Sequence, residues 1–346
     1  MACRGSGVRV PSGPPLRFVE WSELHTQGWV EQTVNTEINP HGLHHVTAIA
    51  SDPQKNVDFY TKTLGLRLVK QTVNFDAPHV WHLYYGDKTG APASILTFFP
   101  WPGVAPGKEG AGLTTATSFS VPLDSIGFWQ QRLKSLGVEN ELATNINGFD
   151  LLKLRDQDGM SVELVGTEGD TRSGWDGESS IPAEHAIRGL HSVTLSQQLL
   201  DPTAIMLTEM LGMQTNAENQ RGVQFSMDDG STGALVDVIP GVNDRGLQAG
   251  GTVHHVAFRA PDLPTMESWR QQLVGQGVPV TEIMDRQYFK SIYFREPGGV
   301  LFEIATDDPG FDIDEPLLEL GRKLKLPPWL EPNREQIAAN LPRIET

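Results

Sequence analysis

Two histidine doublets, His44-His45 and His254-His255, and one carboxylate, Glu303, are the side chains of this sequence best suited to holding a metal ion. Each doublet opens a short alternating apolar run, GLHHVTAIA (42–50) and TVHHVAFRA (252–260), and Glu303 lies inside another, GVLFEIAT (299–306). Two imidazoles and one carboxylate on one face leave three positions of a first-row divalent ion open, which is the arrangement of non-heme Fe(II) sites. The stretch from Tyr293 to Glu303, Y-F-R-E-P-G-G-V-L-F-E, adds a second signal. Its Glu296-Pro297-Gly298-Gly299 turn sends the chain back, so that Tyr293 and Glu303 can face one cavity from adjoining strands.

These residues need elements to hold them, and the sequence writes one unit four times. The strand-like runs GLHHVTAIA, TATSFSVPL (115–123), GLHSVTLSQ (189–197) and TVHHVAFRA alternate with period two. Aligning His45, Thr117, His191 and His255 spaces them by 72, 74 and 64 residues, the scale of a small supersecondary module. Each run leads into a helix-like stretch ending at glycine, which at C′ closes a helix because it tolerates positive φ. Further strands follow and close with ASILTFFP, MSVELVG, GALVDVIP and GVLFEIAT, so the unit is βαβββ. One such unit cannot bury both faces of its sheet, and units must pair. The expected fold is therefore α+β, with four βαβββ modules paired into two pseudosymmetric domains.

We place the first domain at 41–165 and the second at 188–306, joined by a Gly-, Ser- and acid-rich linker at 166–187 and followed by a tail at 307–346. Residues 1–40 have no apolar periodicity and no signal-peptide core, and read as a disordered or non-native extension. The acid positions of the closing strands are Thr97, Glu163, Asp237 and Glu303. Pairing modules one and four gives His45, His255 and Glu303. Pairing three and four gives His191, Asp237, His255 and Glu303, and pairing two and three gives Glu163, His191 and Asp237. Spacing alone does not choose among them.

The charge balance of 43 acidic against 27 basic residues, formally −16, repels phosphate backbones and anionic lipid, so neither nucleic acid nor membrane is an expected partner. No apolar run is long enough to span a bilayer. The single cysteine, Cys3, excludes a disulfide framework and fits a reducing compartment, with the cytoplasm as the expected location.

From His41 to about Pro342 the sequence resembles the hydroquinone-type ring-cleaving (extradiol) dioxygenases of the vicinal-oxygen-chelate, or glyoxalase, superfamily. GLHHVT, TVHHVAF, DRQYFKSIYFREPGG and VLFE carry the resemblance, and the Tyr293-to-Glu303 stretch fits the extradiol pattern Y-x-x-[DENT]-P-x-G-x-x-x-E. The resemblance implies glyoxalase-like domains, a metal shared by modules one and four, and His45, His255 and Glu303 as its ligands. It implies Fe(II), with Mn(II) as the alternative, and O2 and a small aromatic molecule as co-substrates. It also implies His44 and Thr47 as substrate-binding residues and His254, Tyr293 and Arg286 as catalytic ones. Strict strand alternation sends His44 and His254 to the face opposite the ligands, a conflict that the sequence leaves open. Three other readings stay open beside hydroquinone cleavage: a catechol extradiol dioxygenase with the same triad, a glyoxalase-like metal isomerase using four ligands, and a metal-free binding protein. A homo-oligomer is compatible with all four.

Overall fold

The computed structural model describes residues 38–177, 179–241 and 244–346, so the expectation for residues 1–40 falls almost wholly outside the described residues. The four βαβββ modules are present. Module one comprises β1 (Leu43–Ala50), α1 (Pro53–Val57, continuing as a π-helical turn over Asp58–Thr63), β2 (Arg67–Asn74), β3 (Ala77–Gly86) and β4 (Ile95–Pro100). Module two comprises β5 (Leu113–Pro122), α2 (Ile126–Ser135), β6 (Asn140–Thr144), β7 (Asp150–Arg155) and β8 (Ser161–Thr167). Module three comprises β9 (Gly189–Gln197), α3 (Leu200–Ile205, with a π-helical turn over Met206–Met210), β10 (Gln214–Asn219), β11 (Gly222–Ser226) and β12 (Leu235–Pro240). Module four comprises β13 (Thr252–Ala260), α4 (Leu263–Gly275), β14 (Met284–Asp285), β15 (Lys290–Arg295) and β16 (Leu301–Thr306). The glycines expected to end the helices, Gly65, Gly137, Gly212 and Gly277, all have positive φ.

The modules pair across the chain rather than along it. One eight-stranded sheet runs β14-β15-β16-β13-β1-β4-β3-β2 and the other β10-β11-β12-β9-β5-β8-β7-β6. Module one thus shares a sheet with module four through antiparallel β1 and β13, and module two with module three through antiparallel β5 and β9. The division into 41–165 and 188–306 therefore follows the repeat in the sequence, while each sheet takes one module from each half. Period-two alternation gives each strand a core face and a concave face. On β16, Phe302 and Ile304 enter the main core with Met266, Trp269 and Leu273 of α4, whereas Glu303 lies between them in sequence and faces the other way.

Consecutive modules are tied by an acid in a turn. Glu296, 1% exposed in the turn before β16, accepts from Gln197 Nε2 (3.0 Å), Thr203 Oγ1 (2.7 Å), Gly298 N (2.8 Å) and Val300 N (2.8 Å). Gly298 packs so tightly that an added Cβ would stand 1.9 Å from Gln197 Oε1. Asp156 does the same between modules two and one, accepting from Met160 N and from Tyr60 OH. The tail covers the free edge at β2, where the fully buried Lys70 ammonium bonds to Asp314 (2.6 Å) and Glu315 (2.5 Å). Among the described residues no helix is long and apolar enough to cross a membrane.

Replacing Glu296 by Ala leaves two buried side-chain donors and two backbone amides without their acceptor. The variant should lose about 3 kcal/mol or more of stability in urea unfolding, and a loss under ~1 kcal/mol would show that the turn does not tie modules three and four together.

Candidate metal centre

The union of β1 and β13 brings the two doublets to one place on the concave face. His45 stands opposite Ala257, and Ala257 opposite Glu303, so these three lie in one row. Ala257 contributes only a methyl group and leaves the space between His45 and Glu303 open. His255 stands opposite Thr47 one step along. The result is a buried cluster of His45 Nε2, His255 Nε2 and Glu303 Oε2, separated by 3.3, 2.8 and 3.4 Å for the His–His, His255–Glu and His45–Glu pairs. Ligand atoms held by one ion at bonds of roughly 2.1 Å, about 90 to 110° apart, have separations of this size.

The same register resolves the conflict over the doublets. Both are sites of β-bulges: Leu43 and His45 take consecutive partners on β13 and skip His44, and Thr47 and Ala48 take His255 and Val253 and skip His254. The skipped residues are free to turn, and each stacks edge-on against its neighbour. His44 Nδ1 lies 2.8 Å from His45 Nδ1, and His254 Nδ1 lies 2.8 Å from His255 Nδ1. In each of these pairs one Nδ1 carries the hydrogen and the other accepts it, the roles being set by the tautomers. When His45 carries its hydrogen on Nδ1, its Nε2 is left with a lone pair for a metal ion.

The carboxylate is oriented from behind. Ser291 hydroxyl donates to Glu303 Oε1, while Oε2 is buried and has no hydrogen-bond partner although both Nε2 atoms are near. Burial alone would raise the Glu303 carboxyl, but His45 and His255 hold it well below the usual carboxylate range. Burial lowers His255 and takes His254 down to about 3, and His44 also falls well below the ordinary histidine value, so these imidazoles resist protonation. Two imidazole nitrogens converge within 3.4 Å on a buried carboxylate oxygen that has no hydrogen-bond partner, an arrangement that is costly unless positive charge sits among them. The residues present thus fit a divalent metal.

Around the cluster, Tyr293 lies opposite Glu303 on β15, as its spacing in the sequence implied. Arg286 Nε donates to Tyr293 OH (3.1 Å) and its Nη1 pairs with Asp76 (3.1 Å), while Asp285 pairs with Lys290. Residue 76 lies in the turn after β2 and residue 286 just after β14, the two edges of the sheet, so this contact requires the sheet to curl around the centre. Burial pushes the Tyr293 phenol well up and Glu303 adds to it, so the hydroxyl keeps its proton. Thr47 is fully buried and bonds Thr97 (2.9 Å). Phe289 lies 5.1 Å from both His44 and His45 and walls the cluster on that side.

The other alignments fall away. Thr194 stands opposite Asp237 and Ser118 opposite Glu163, just as Ala257 stands opposite Glu303, so Ser192 and Ala116 are the residues level with His45 and His255. His191 is skipped in the β5–β9 register and corresponds to His44 and His254, contrary to the alignment of the sequence runs. Glu163 and Asp237 lie in the second sheet, bonded to Ser118 (2.7 Å) and Gln224 (2.7 Å). Among the described residues only His45, His255 and Glu303 form a group of three or more such side chains able to hold an ion. Residues the sequence reading passed over are Ser291, Phe289, His82 and Tyr84. Setting β3 beside β15, with Thr97 matched to Glu303, would have paired Tyr84 with Tyr293 and His82 with Ser291.

The profile of the Glyoxalase/Bleomycin resistance protein/Dioxygenase superfamily matches residues 42–164 and 190–304. MhqE of Bacillus subtilis (strain 168), named provisionally as a ring-cleaving dioxygenase, is 43% identical over 303 residues, 88% of this chain and 99% of that protein. Chlorohydroquinone/hydroquinone 1,2-dioxygenase of Sphingobium indicum is 33% identical over 306 residues, 86% of this chain and 94% of that protein. A crystal structure from Bacillus subtilis, described provisionally as a dioxygenase, superposes with a TM-score of 0.85 at 39% identity, covering 89% of this chain and 98% of that one. Maize glyoxalase I shares the fold alone, at 14% identity and a TM-score of 0.57 over 77% of this chain and 92% of its own. On the extent of these matches, the chain belongs to the Glyoxalase/Bleomycin resistance protein/Dioxygenase superfamily.

Proposed function

We propose that this protein is an Fe(II)-dependent dioxygenase that opens hydroquinone-type aromatic rings with O2, using His45, His255 and Glu303 as the metal ligands. The observation that carries the reading is the buried, unpartnered Oε2 of Glu303 facing the Nε2 atoms of His45 and His255. The hydroquinone preference is supported by the name of the Sphingobium relative. Bound by three protein atoms, the ion supplies a common electrophilic anchor for a phenolic oxygen and for O2.

The chain's own residues account for the rest. Because Tyr293 OH accepts from Arg286, its hydrogen is free to bond an oxygen of the ring, and its raised pKa makes it a donor rather than a base. Arg286 keeps its charge and fixes that phenol. Thr47 binds a second ring oxygen from the other side of the doublets. His44 and His254 hold the ligand imidazoles in the tautomer that leaves Nε2 unprotonated, and His254, half-buried beside Phe99, stays neutral in that role. Phe289 excludes water from the His45 side. The four-ligand isomerase reading has no observation in its favour, since His191 and Asp237 lie in the other sheet.

Purified protein should carry about one divalent ion per chain by elemental analysis, and His45→Ala should lose both the ion and O2 uptake while melting near wild type. His191→Ala should keep both. The reverse pattern would overturn the pairing of modules one and four.

Asp237 gives a control in the other sheet. Burial raises its carboxyl to about 6, the Gln224 hydrogen bond opposes this, and Glu163 adds to it. The folded state therefore holds a proton that the unfolded state has released between the ordinary value of about 3.9 and 6, and this contribution to stability is lost as pH rises through that window. Asp237→Asn should melt above wild type at neutral pH with the ion retained, and the gain should shrink toward pH ~4. A variant that loses the ion would place a metal in the second sheet.

With Fe(II)-loaded protein in an oxygen electrode, para-hydroquinones should be consumed faster than catechols. A catechol preferred over every hydroquinone tested would move the substrate assignment while keeping the triad.

A further inference from the structure

One line of polar groups leads to Thr47, and three of its members, Tyr84, His82 and Thr97, have no role in the account above. Tyr84 OH lies 2.9 Å from His82 Nδ1, His82 Nε2 lies 2.9 Å from Thr97 Oγ1, and Thr97 Oγ1 lies 2.9 Å from Thr47 Oγ1. Thr47 and Thr97 are fully buried and Tyr84 is 1% exposed. The line starts at Tyr84, whose ring packs against Tyr288 and Phe311. It ends at Thr47, two residues along β1 from His45 and opposite His255.

Every member of this line could be donor or acceptor in isolation, but its two ends are not equivalent. Tyr84 OH has no hydrogen-bond partner besides His82 among the described residues. Burial pushes its pKa well above the ordinary phenol value, so the hydrogen stays in place. In either direction one hydrogen of the line is left over, at Tyr84 or at the equally buried Thr47; a ring oxygen brought to the His45 face can take it up at Thr47, which favours Tyr84 donating to His82 Nδ1. His82 is held neutral by its desolvated surroundings, so with Nδ1 accepting, its hydrogen sits on Nε2 and is donated to Thr97. Thr97 in turn donates to Thr47. The hydrogen of Thr47 is then the only free end, on the strand face shared with His45.

We propose that Tyr84, His82 and Thr97 are positioning residues that fix Thr47 as a one-way hydrogen-bond donor, so that the site selects a ring bearing an acceptor oxygen, phenolate or carbonyl, at that point. The substrate part of this inference rests on the ring-cleaving reading. The direction of the line is read separately, from the tautomer of His82.

Two experiments separate these. In zinc-loaded full-length protein with 15N-labelled histidine, long-range imidazole spectra should show His82, assigned with His82→Gln, as the neutral Nε2–H tautomer. Tyr84→Phe should abolish that single tautomer. An Nδ1–H tautomer in wild type would overturn the proposal, as would an unchanged tautomer in Tyr84→Phe. In oxygen uptake with a para-hydroquinone, Thr97→Val should lower kcat/KM about tenfold with its metal content intact, Thr97→Ser should recover most of that loss, and Thr47→Val should add little to Thr97→Val. Wild-type kcat/KM in Thr97→Val would also overturn it. If wild-type protein consumes no O2 with any hydroquinone, the ring-cleaving reading fails and the tautomer still decides the direction of the line.

Discussion

The antiparallel joint between β1 and β13 is the constraint on which the rest of the centre depends. It joins residues 210 positions apart, His45 and His255, and places Glu303 on the next strand of the same sheet. A one-residue slip of either strand would send its ligand imidazole to the core side. The register is fixed by the apolar residues on that core side, Val46, Val256, Phe258 and Phe302, all fully buried. Packing on one face of the sheet therefore sets the polar geometry on the other.

The two bulges turn this joint into a site. An unbroken ladder would give each doublet one inward and one outward imidazole, leaving the inward ring without a partner for its Nδ1. By skipping His44 and His254, the ladder lets each first histidine bond the ring of the second. Ser291 plays the matching part for Glu303. All three metal-facing atoms are thus held from behind, which is how supporting residues fix tautomer and orientation. In the second sheet the bulge at His191 persists, but Ser192 and Ala116 occupy the places of His45 and His255. The architecture is shared by both sheets, and only one carries the ligand set.

Much of this was legible in the residues. Period-two runs, glycines after the helices and a fourfold repeat gave the βαβββ module, and the Tyr293–Glu303 spacing gave the cross-strand pair. Which modules share a sheet was not legible, because β1, β5, β9 and β13 have the same local pattern and the choice is made by long-range packing. The alignment of His191 with His45 slipped by one although GLHHVT and GLHSVT match at Gly-Leu-His and set Ser192 level with His45. The roles of His82, Tyr84 and Ser291 depend on cross-strand register, which no single segment encodes. The π-helical turns after α1 and α3 had no sequence signal that we can identify.

The central claim is that a single ion is held between modules one and four. Anomalous diffraction at the iron edge from crystals of Fe(II)-loaded protein tests it most directly. The account predicts one strong peak per chain, bounded by His45 Nε2, His255 Nε2 and a Glu303 oxygen, with no peak beside Glu163 and Asp237. A peak in the second sheet, or none at the triad in protein that contains iron, would contradict it.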